Sequence, residues 1–176
     1  MSSPPTLTGT RLRVRPGAAT DVAALHAVRS EESVVAWWNA PEPPETLAAQ
    51  LRGELTETVL VVEVAGAVAG SIQYSEETEP DYRHASIDLY LGSRFQGQGL
   101  GAEAVALVAT HLIDALGHHR LTIDPAAANE RAIRCYARVG FRPVGLMRRY
   151  ERGPDGTWHD GLLMDLLAAE LLRLGG

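Results

Sequence analysis

Cysteine is nearly absent from this sequence, and signals for targeting or membrane insertion are missing. Cys135 is the single cysteine among 176 residues, so an internal disulfide is excluded, and no cysteine–histidine cluster has the spacing of a zinc site. The most apolar stretch, residues 102–109, is much too short to span a membrane. The first residues have neither the basic nor the apolar part of a secretory signal. We therefore expect a cytoplasmic protein without a metal or a membrane partner.

Positive charge is also in short supply, because the net charge is −6. Acidic residues are concentrated at residues 31–45 and 76–81. An acidic surface disfavours nucleic acid and attracts a cationic partner. Solvated acidic loops would explain the same pattern, since acidic surfaces are common for solubility alone.

The length and the apolar content predict one domain over residues 1–176. Hydrophobic residues make up 45% of the chain, which is enough for a sizeable core. Periodicity and turn residues predict strands at 11–15, 58–64, 67–74, 85–91, 120–124, 141–150 and 157–167, and helices starting near Thr20, Pro44, Leu100 and Asn129. The helix from Leu100 is expected to reach Leu116. This order predicts an α/β fold with a curved mixed sheet and helices on both faces.

The strand at 85–91 is expected to have one apolar and one polar face. Ala85, Ile87, Leu89 and Leu91 alternate with His84, Ser86, Asp88 and Tyr90, and side chains two residues apart share a face of a strand. We expect the first set to lie in the core and the second to be polar.

A glycine-rich segment, Gln96-Gly97-Gln98-Gly99-Leu100-Gly101, joins this strand to the long helix. Glycine has no Cβ that could block a ligand. Main-chain N–H groups and the positive end of the helix dipole favour an anion such as a pyrophosphate at this place. The segment therefore predicts a phosphate-binding loop.

Two classes of ligand fit the spacing of these glycines. Gly97, Gly99 and Ala102 match the dinucleotide pattern G-x-G-x-x-G/A, and Asp124 supplies an acidic residue after the next strand. A dinucleotide fold normally runs its first strand straight into the first glycine, whereas residues 93–96 intervene here. This departure counts against a dinucleotide site, so an oxidoreductase is kept only as the last alternative.

The second class follows from a family resemblance. Arg94 and Gln96-x-x-Gly99-x-Gly101 resemble the loop Q/R-x-x-G-x-G/A that binds the acyl-CoA pyrophosphate in GNAT N-acetyltransferases. Downstream, the segment from Asn129 to Phe141 resembles the pattern that closes the acyl-CoA site in that family. The resemblance covers Arg11 to Leu167 and implies a single-domain fold with a mostly antiparallel sheet.

Within that family the sequence is most similar to the aminoglycoside 6'-N-acetyltransferase branch. The matching stretches are Val35-Ala-Trp37-Trp38, Ile87-Asp88, Thr122-Ile-Asp124-Pro125 and Arg131-Ala-Ile-Arg134-Cys-Tyr136. Ribosomal-protein N-terminal acetyltransferases share these features. Members of the family often form homodimers, although no segment here identifies the contact.

The resemblance implies acetyl-CoA as cosubstrate and assigns residues to it. Main-chain N–H groups at the end of the strand would face the thioester carbonyl, the glycine loop would hold the pyrophosphate, and arginines would meet further phosphates. Asn129 would bond the pantetheine arm or merely cap its helix. The implied cofactor-binding residues are Leu89, Tyr90, Leu91, Arg94, Gln96, Gly97, Gln98, Gly99, Leu100, Gly101, Asn129, Arg131 and Arg134.

The same resemblance assigns the catalytic and acceptor-binding residues. Asp88 would take a proton from the substrate ammonium, provided that burial raises its pKa, or would only anchor the substrate. Tyr136 would protonate the departing sulfur, or would be an ordinary core tyrosine. Trp37 and Trp38 would bind substrate together with Asp88, or would pack as a lid.

The predicted function is acetyl transfer from acetyl-CoA to a primary amine by direct attack in a ternary complex. A cationic small molecule such as an aminoglycoside, modified on its 6'-amino group, is the first candidate. Two alternatives stay open. One keeps the chemistry and replaces the sugar by a protein N-terminus or a polyamine, and the other is an acyl-CoA-binding sensor without turnover.

Overall fold

The computed structural model describes residues 4–173 and shows eight strands and five α-helices over that range. Their bounds in chain order are β1 Leu7–Thr8, β2 Arg13–Pro16, α1 Val22–Arg29, α2 Glu32–Trp38, α3 Pro44–Leu51, β3 Thr58–Val64, β4 Ala67–Glu77, β5 His84–Leu91, α4 Leu100–Thr110, β6 Arg120–Ile123, α5 Glu130–Ala137, β7 Arg142–Arg152 and β8 Trp158–Leu167. None of these helices is both long and apolar enough to cross a bilayer.

All eight strands form one mixed sheet in the order β1-β2-β3-β4-β5-β6-β8-β7. Every neighbouring pair is antiparallel except β5 and β6. These two pair only at Ala85 with Leu121 and at Ser86 with Thr122. Because β5 continues to Leu91, its last five residues have no strand on the β6 side, and this opening positions the functional site.

The sheet has a core on each face, because neighbouring residues of a strand point to opposite sides. On β3, Leu60 and Val62 belong to the core that includes α4, whereas Val61 packs with Leu25 of α1 and Leu47 of α3. The prediction of an α/β fold with helices on both faces of a mostly antiparallel sheet is confirmed.

The expectation that the second face of β5 is polar is wrong at Tyr90. This residue is 8% exposed and packs with Val28 of α1, Val34 of α2 and Trp38. The reason is α2, a seven-residue helix that covers the end of β5 and was not expected from the sequence. A helix this short has too few turns to show an apolar period.

The single helix expected over residues 100–116 is also revised. Regular α-helical structure ends at Thr110, and a wider turn follows in which the N–H of Leu116 donates to the carbonyl of His111 at 3.2 Å. The Thr110 hydroxyl donates to the carbonyl of Ala106 at 2.8 Å, a side-chain bond that competes with regular helix geometry. The predicted stop at Gly117 is confirmed, with φ at +71°.

Candidate functional site

A cavity of about 830 Å³ opens where β5 and β6 separate. Its walls come from α2, the glycine loop, α5, the segment after β6 and the end of β7. The structure brings fourteen of the residues predicted for the site to this cavity: Trp37, Trp38, Asp88, Leu89, Tyr90, Leu91, Gln96, Gly97, Gly99, Gly101, Asn129, Arg131, Arg134 and Tyr136. Arg94, Gln98 and Leu100 do not line it.

The glycine loop forms one end of the cavity and presents main-chain N–H groups to it. Gly99 has φ at +79° immediately before α4, a conformation that glycine adopts without strain. The first N–H groups of a helix have no partner within the helix, so those at residues 99–102 can bind an anion. The side chain of Gln96 fixes the loop to β5 by donating to the carbonyl of Leu91 at 2.6 Å.

Gly101 lies where the loop packs closely against α5 and β5. A Cβ at this position would lie 3.2 Å from Sγ of Cys135 and 3.3 Å from a methyl group of Leu89. The glycine therefore lets α4 approach both elements. Burial raises the pKa of the Cys135 thiol to about 11, which keeps it protonated and unreactive near neutral pH.

The cationic side chains around the loop differ in part from the predicted set. Arg94 is exposed, and its guanidinium lies 5.4 Å from the ring of Phe95. Arg11 and Arg138, which were not predicted, place guanidinium nitrogens 3.3 and 3.6 Å from the Cβ position of Gly99. Arg138 follows Arg131 and Arg134 at helical spacing, a signal available in the sequence, whereas the contribution of Arg11 depends on the tertiary fold.

The register of β4 and β5 decides which strand N–H groups face the opening. The N–H of Gly92 donates to the carbonyl of Ala69 at 2.8 Å, so the facing pair of Leu91 and Gly70 is a non-hydrogen-bonded one. Leu91 and Leu89 therefore direct their N–H groups toward the opening, where that of Leu89 donates to the Asp88 carboxylate at 3.3 Å, while Tyr90 directs its N–H group to β4. Of the three residues predicted for a main-chain contact, two are oriented for it.

Three carboxylates line the opposite end of the cavity, on the ends of three different strands. Asp88 lies on β5, Asp124 directly follows β6 and Glu151 lies on β7. Asp88 is exposed to the open cavity, and the desolvating protein around it, followed by the charges of Asp124 and Glu151, raises the pKa of its carboxyl to about 7. The same burial and Asp124 raise the pKa of Glu151. At neutral pH the Asp88 carboxyl is therefore partly ionised, and able to accept a proton, and partly protonated.

Tyr136 contributes a protonated hydroxyl to the cavity. Its ring is buried and packs edge-on against Phe141, with ring centres 6.4 Å apart. Burial, followed by the charge of Asp88, holds the pKa of the Tyr136 hydroxyl well above its usual range. That hydroxyl has no hydrogen-bond partner among residues 4–173. Core packing of the ring and a free hydroxyl at the cavity are therefore compatible.

The two tryptophans of α2 form one wall of the cavity, and Trp38 shares this wall with Tyr90. Trp37 and Trp38 are both half-buried and both line the cavity. Trp38 packs edge-on against Tyr90, with ring centres 5.0 Å apart. The sequence did not reveal Arg29, which packs against the rings of Trp38 and Tyr90. It also did not reveal Glu151 as a carboxylate of the cavity. Both positions depend on contacts between segments that are distant in the chain.

Comparison with known proteins identifies the family. A model of the GNAT acetyltransferase domain matches residues 11–142. The chain is 30% identical over 156 residues to an aminoglycoside N(6')-acetyltransferase type 1 of Klebsiella pneumoniae, covering 77% of this chain and 74% of that protein. It is 26% identical over 168 residues to spermidine N(1)-acetyltransferase of Escherichia coli K12, covering 92% of this chain and 88% of that protein.

A solved structure gives the same family. Mycobacterium smegmatis RimJ in complex with CoA-disulfide has a TM-score of 0.82 and 26% identity, covering 96% of this chain and 90% of that one. The chain belongs to the GNAT acetyltransferase family and is an N-acetyltransferase. The oxidoreductase interpretation of Gly97, Gly99 and Ala102 is therefore wrong, and so is the alternative of a sensor without turnover.

Proposed function

We propose that this enzyme transfers the acetyl group of acetyl-CoA to a primary amine of a small polycation, with an aminoglycoside and its 6'-amino group as the first candidate. The observation that carries the proposal is the convergence of Asp88, Asp124 and Glu151 at one end of the cavity. Burial, with the charge of Asp124, raises the pKa values of Asp88 and Glu151, and a bound cation offsets the repulsion between these carboxylates. A substrate with several ammonium groups relieves that repulsion, and Trp37 and Trp38 offer flat surfaces to sugar rings.

The residues present fit acetyl-CoA, the cosubstrate of the family. The N–H groups at residues 99–102 and the guanidinium group of Arg138 suit phosphate groups, whereas the Arg11 guanidinium is paired with Glu103 at 2.9 Å. Arg131 and Arg134 line the same cavity. The Asn129 side chain caps α5 by accepting from the N–H of Ala132 at 3.2 Å, and its amide nitrogen stays free for the pantetheine arm. Bound acetyl-CoA supplies the acetyl thioester.

The residues around the opening can perform each proton movement of the transfer. The N–H group of Leu91 holds the thioester oxygen and stabilises negative charge as it develops there, and that of Leu89, which donates to the Asp88 carboxylate at 3.3 Å, lies beside it. Asp88 binds the substrate ammonium and accepts one of its protons, directly or through water, which frees the amine for direct attack in a ternary complex. The Tyr136 hydroxyl donates its proton to the departing sulfur, and the second proton that the nitrogen loses after attack returns to Tyr136 through water.

A polyamine is the second candidate acceptor. The relative from Escherichia coli is a spermidine N(1)-acetyltransferase, and three clustered carboxylates suit a chain of ammonium groups as well as an aminoglycoside. A peptide N-terminus carries a single ammonium and would use only part of this cluster. We therefore rank peptides third.

The experiment is CoA-thiol release from acetyl-CoA with a panel of aminoglycosides, polyamines and short peptides. Wild type is compared with Asp88→Asn, Tyr136→Phe and the control Glu45→Gln, which makes the same acid-to-amide change at an exposed position of α3. Turnover confined to aminoglycosides, and reduced in the first two variants only, supports the proposal. Turnover with peptides alone would refute the polycation assignment.

A further inference from the structure

Arg29 is a buried cation behind the wall of the cavity that Trp38 and Tyr90 form. It ends α1, is 3% exposed and does not line the cavity. Its only carboxylate partner within 4.0 Å among the described residues is Glu42, which lies 3.5 Å away and is partly exposed. A buried guanidinium without a close carboxylate lowers the stability of the fold. The groups that Arg29 contacts should therefore indicate its role.

The guanidinium holds three consecutive main-chain carbonyl groups where the chain leaves α2. It donates to the carbonyl of Asn39 at 3.0 Å, to that of Ala40 at 3.4 Å, and to that of Trp38. The last carbonyl groups of a helix have no partner within the helix. Arg29 therefore fixes the direction of the chain immediately after the two tryptophans.

The same guanidinium also supports two aromatic walls of the cavity. Its central carbon lies 5.2 Å from the ring centre of Trp38 and 5.7 Å from that of Tyr90. These rings also contact each other. A planar guanidinium can stack on rings and bind carbonyl groups at once, which an ammonium group cannot do.

Asn39 links this arrangement to the acidic end of the cavity. Its backbone has φ at +61°, an uncommon conformation for a residue other than glycine. Its side-chain amide donates to Glu151 at 3.5 Å, and its carbonyl accepts from Arg29. One buried side chain thus connects α1, the end of α2 and, through Asn39, β7.

We infer that Arg29 is a positioning residue that holds Trp38 and Asn39 in the geometry needed to bind the acceptor. This inference rests on the proposed location of the acceptor between Trp38 and the carboxylates. Loss of Arg29 frees the end of α2 without touching the glycine loop, so acceptor binding weakens and acetyl-CoA binding does not.

The test uses full-length protein carrying Trp158→Phe, which removes the exposed tryptophan of β8 and leaves Trp37 and Trp38 as the only fluorescent indoles. Into this background we place Arg29→Met, Arg29→Lys and the control Arg52→Met. Arg52 is an exposed arginine paired only with Glu54 among the described residues. Acrylamide quenching without substrate is measured first, followed by steady-state kinetics with the panel amine of highest kcat/KM.

For Arg29→Met we expect the quenching constant to rise by about twofold, because the end of α2 loosens. The acceptor KM should rise by at least about fivefold, with the KM of acetyl-CoA within about twofold of wild type. Arg29→Lys should lie between Arg29→Met and wild type. Arg52→Met should match wild type in every measurement.

Two results would overturn the inference. Quenching and acceptor KM that stay at the Arg52→Met values would show that Arg29 does not hold the wall. An equal rise in both KM values would show a general structural role. Should Arg29→Met fail to fold, Arg29→Lys decides by the same two criteria. Should no panel amine be acetylated, the proposed function fails by itself, and the quenching comparison still decides the role of Arg29.

Discussion

The raised pKa of Asp88 gives the sharpest prediction for the reaction. In the proposed mechanism the ionised Asp88 carboxylate accepts the proton of the substrate, and the pKa of this carboxyl is raised to about 7. The rate constant kcat/KM should therefore fall roughly tenfold for each pH unit below about 7, as the ionised fraction falls. Asp88→Asn should lower kcat by about 10²–10⁴, the usual contribution of a general base.

The neighbouring carboxylates predict how far the pKa of Asp88 should move when one of them is removed. Asp124 contributes more than Glu151 to the raised pKa of Asp88. A repulsion of about 1 kcal/mol between nearby partly solvated charges corresponds to about 0.7 pKa unit. Asp124→Asn should therefore move the acidic limb of the profile to lower pH by roughly this amount, and Glu151→Gln should move it less.

The substrate amine also titrates, and one comparison separates it from Asp88. If the fall of kcat/KM at low pH reflects the amine, the pH midpoint of that fall should be the same in Asp124→Asn and in the residual activity of Asp88→Asn. The midpoint should then change between substrate amines of different pKa. The assay is the CoA-release rate from pH 5 to pH 9 at saturating acetyl-CoA. A limb that follows the amine, or an Asp88→Asn variant with nearly wild-type kcat, would refute the role of Asp88 as base.

The same pKa makes a statement about stability. A carboxyl group with a higher pKa in the folded state binds more protons folded than unfolded, so it lowers stability as the pH rises from about 4 to about 7. Asp88→Asn removes this penalty. The variant should have a higher Tm than wild type at pH 8 and a smaller difference at pH 4, measured by calorimetry. An equal or lower Tm at pH 8 would contradict the assigned environment.

Three further predictions concern other positions. Tyr136→Phe removes a hydroxyl without a protein partner among residues 4–173, so kcat should fall by about tenfold or more while the Tm stays nearly constant. Gly101→Ala places a Cβ 3.2 Å from Sγ of Cys135, so calorimetric titration should show weaker acetyl-CoA binding. Asp21→Asn breaks a largely buried pair with Arg15 and should lower urea stability by about 1–2 kcal/mol at pH 7. Because Arg15 holds the pKa of Asp21 below its usual value, this loss should disappear as the pH falls below about 4.

The sequence predicted the features that depend on local patterns. The glycine loop, the helix beginning at Leu100 and the adjacent strands predicted at 58–64 and 67–74 follow from residues close together in the chain. The opening between β5 and β6 was not predicted, because nothing within the 85–91 strand tells where pairing with another strand stops.

Residues that act across long distances were not found from the sequence. Arg29 resembles any basic residue near the end of an amphipathic helix, where a solvated position is the usual expectation. Its burial depends on α2, which folds over the end of β5 and brings Trp38 and Tyr90 together. Glu151 likewise gains meaning only when the long strand β7 brings it beside Asp124.

One topological feature accounts for both ends of the proposed chemistry. Where β5 loses its partner, the N–H groups of Leu89 and Leu91 face the opening; that of Leu89 donates to the Asp88 carboxylate at 3.3 Å, and that of Leu91 is available to a developing negative charge. At the same opening, the ends of β5 and β6 bring Asp88 and Asp124 close enough to repel each other. The divergence thus produces an anion-stabilising edge and a poised proton acceptor a few residues apart. If β5 and β6 paired along their whole length, the N–H groups of β5 would bond to β6 and the space for the thioester would close. Both the anion-stabilising edge and the poised proton acceptor would then be lost.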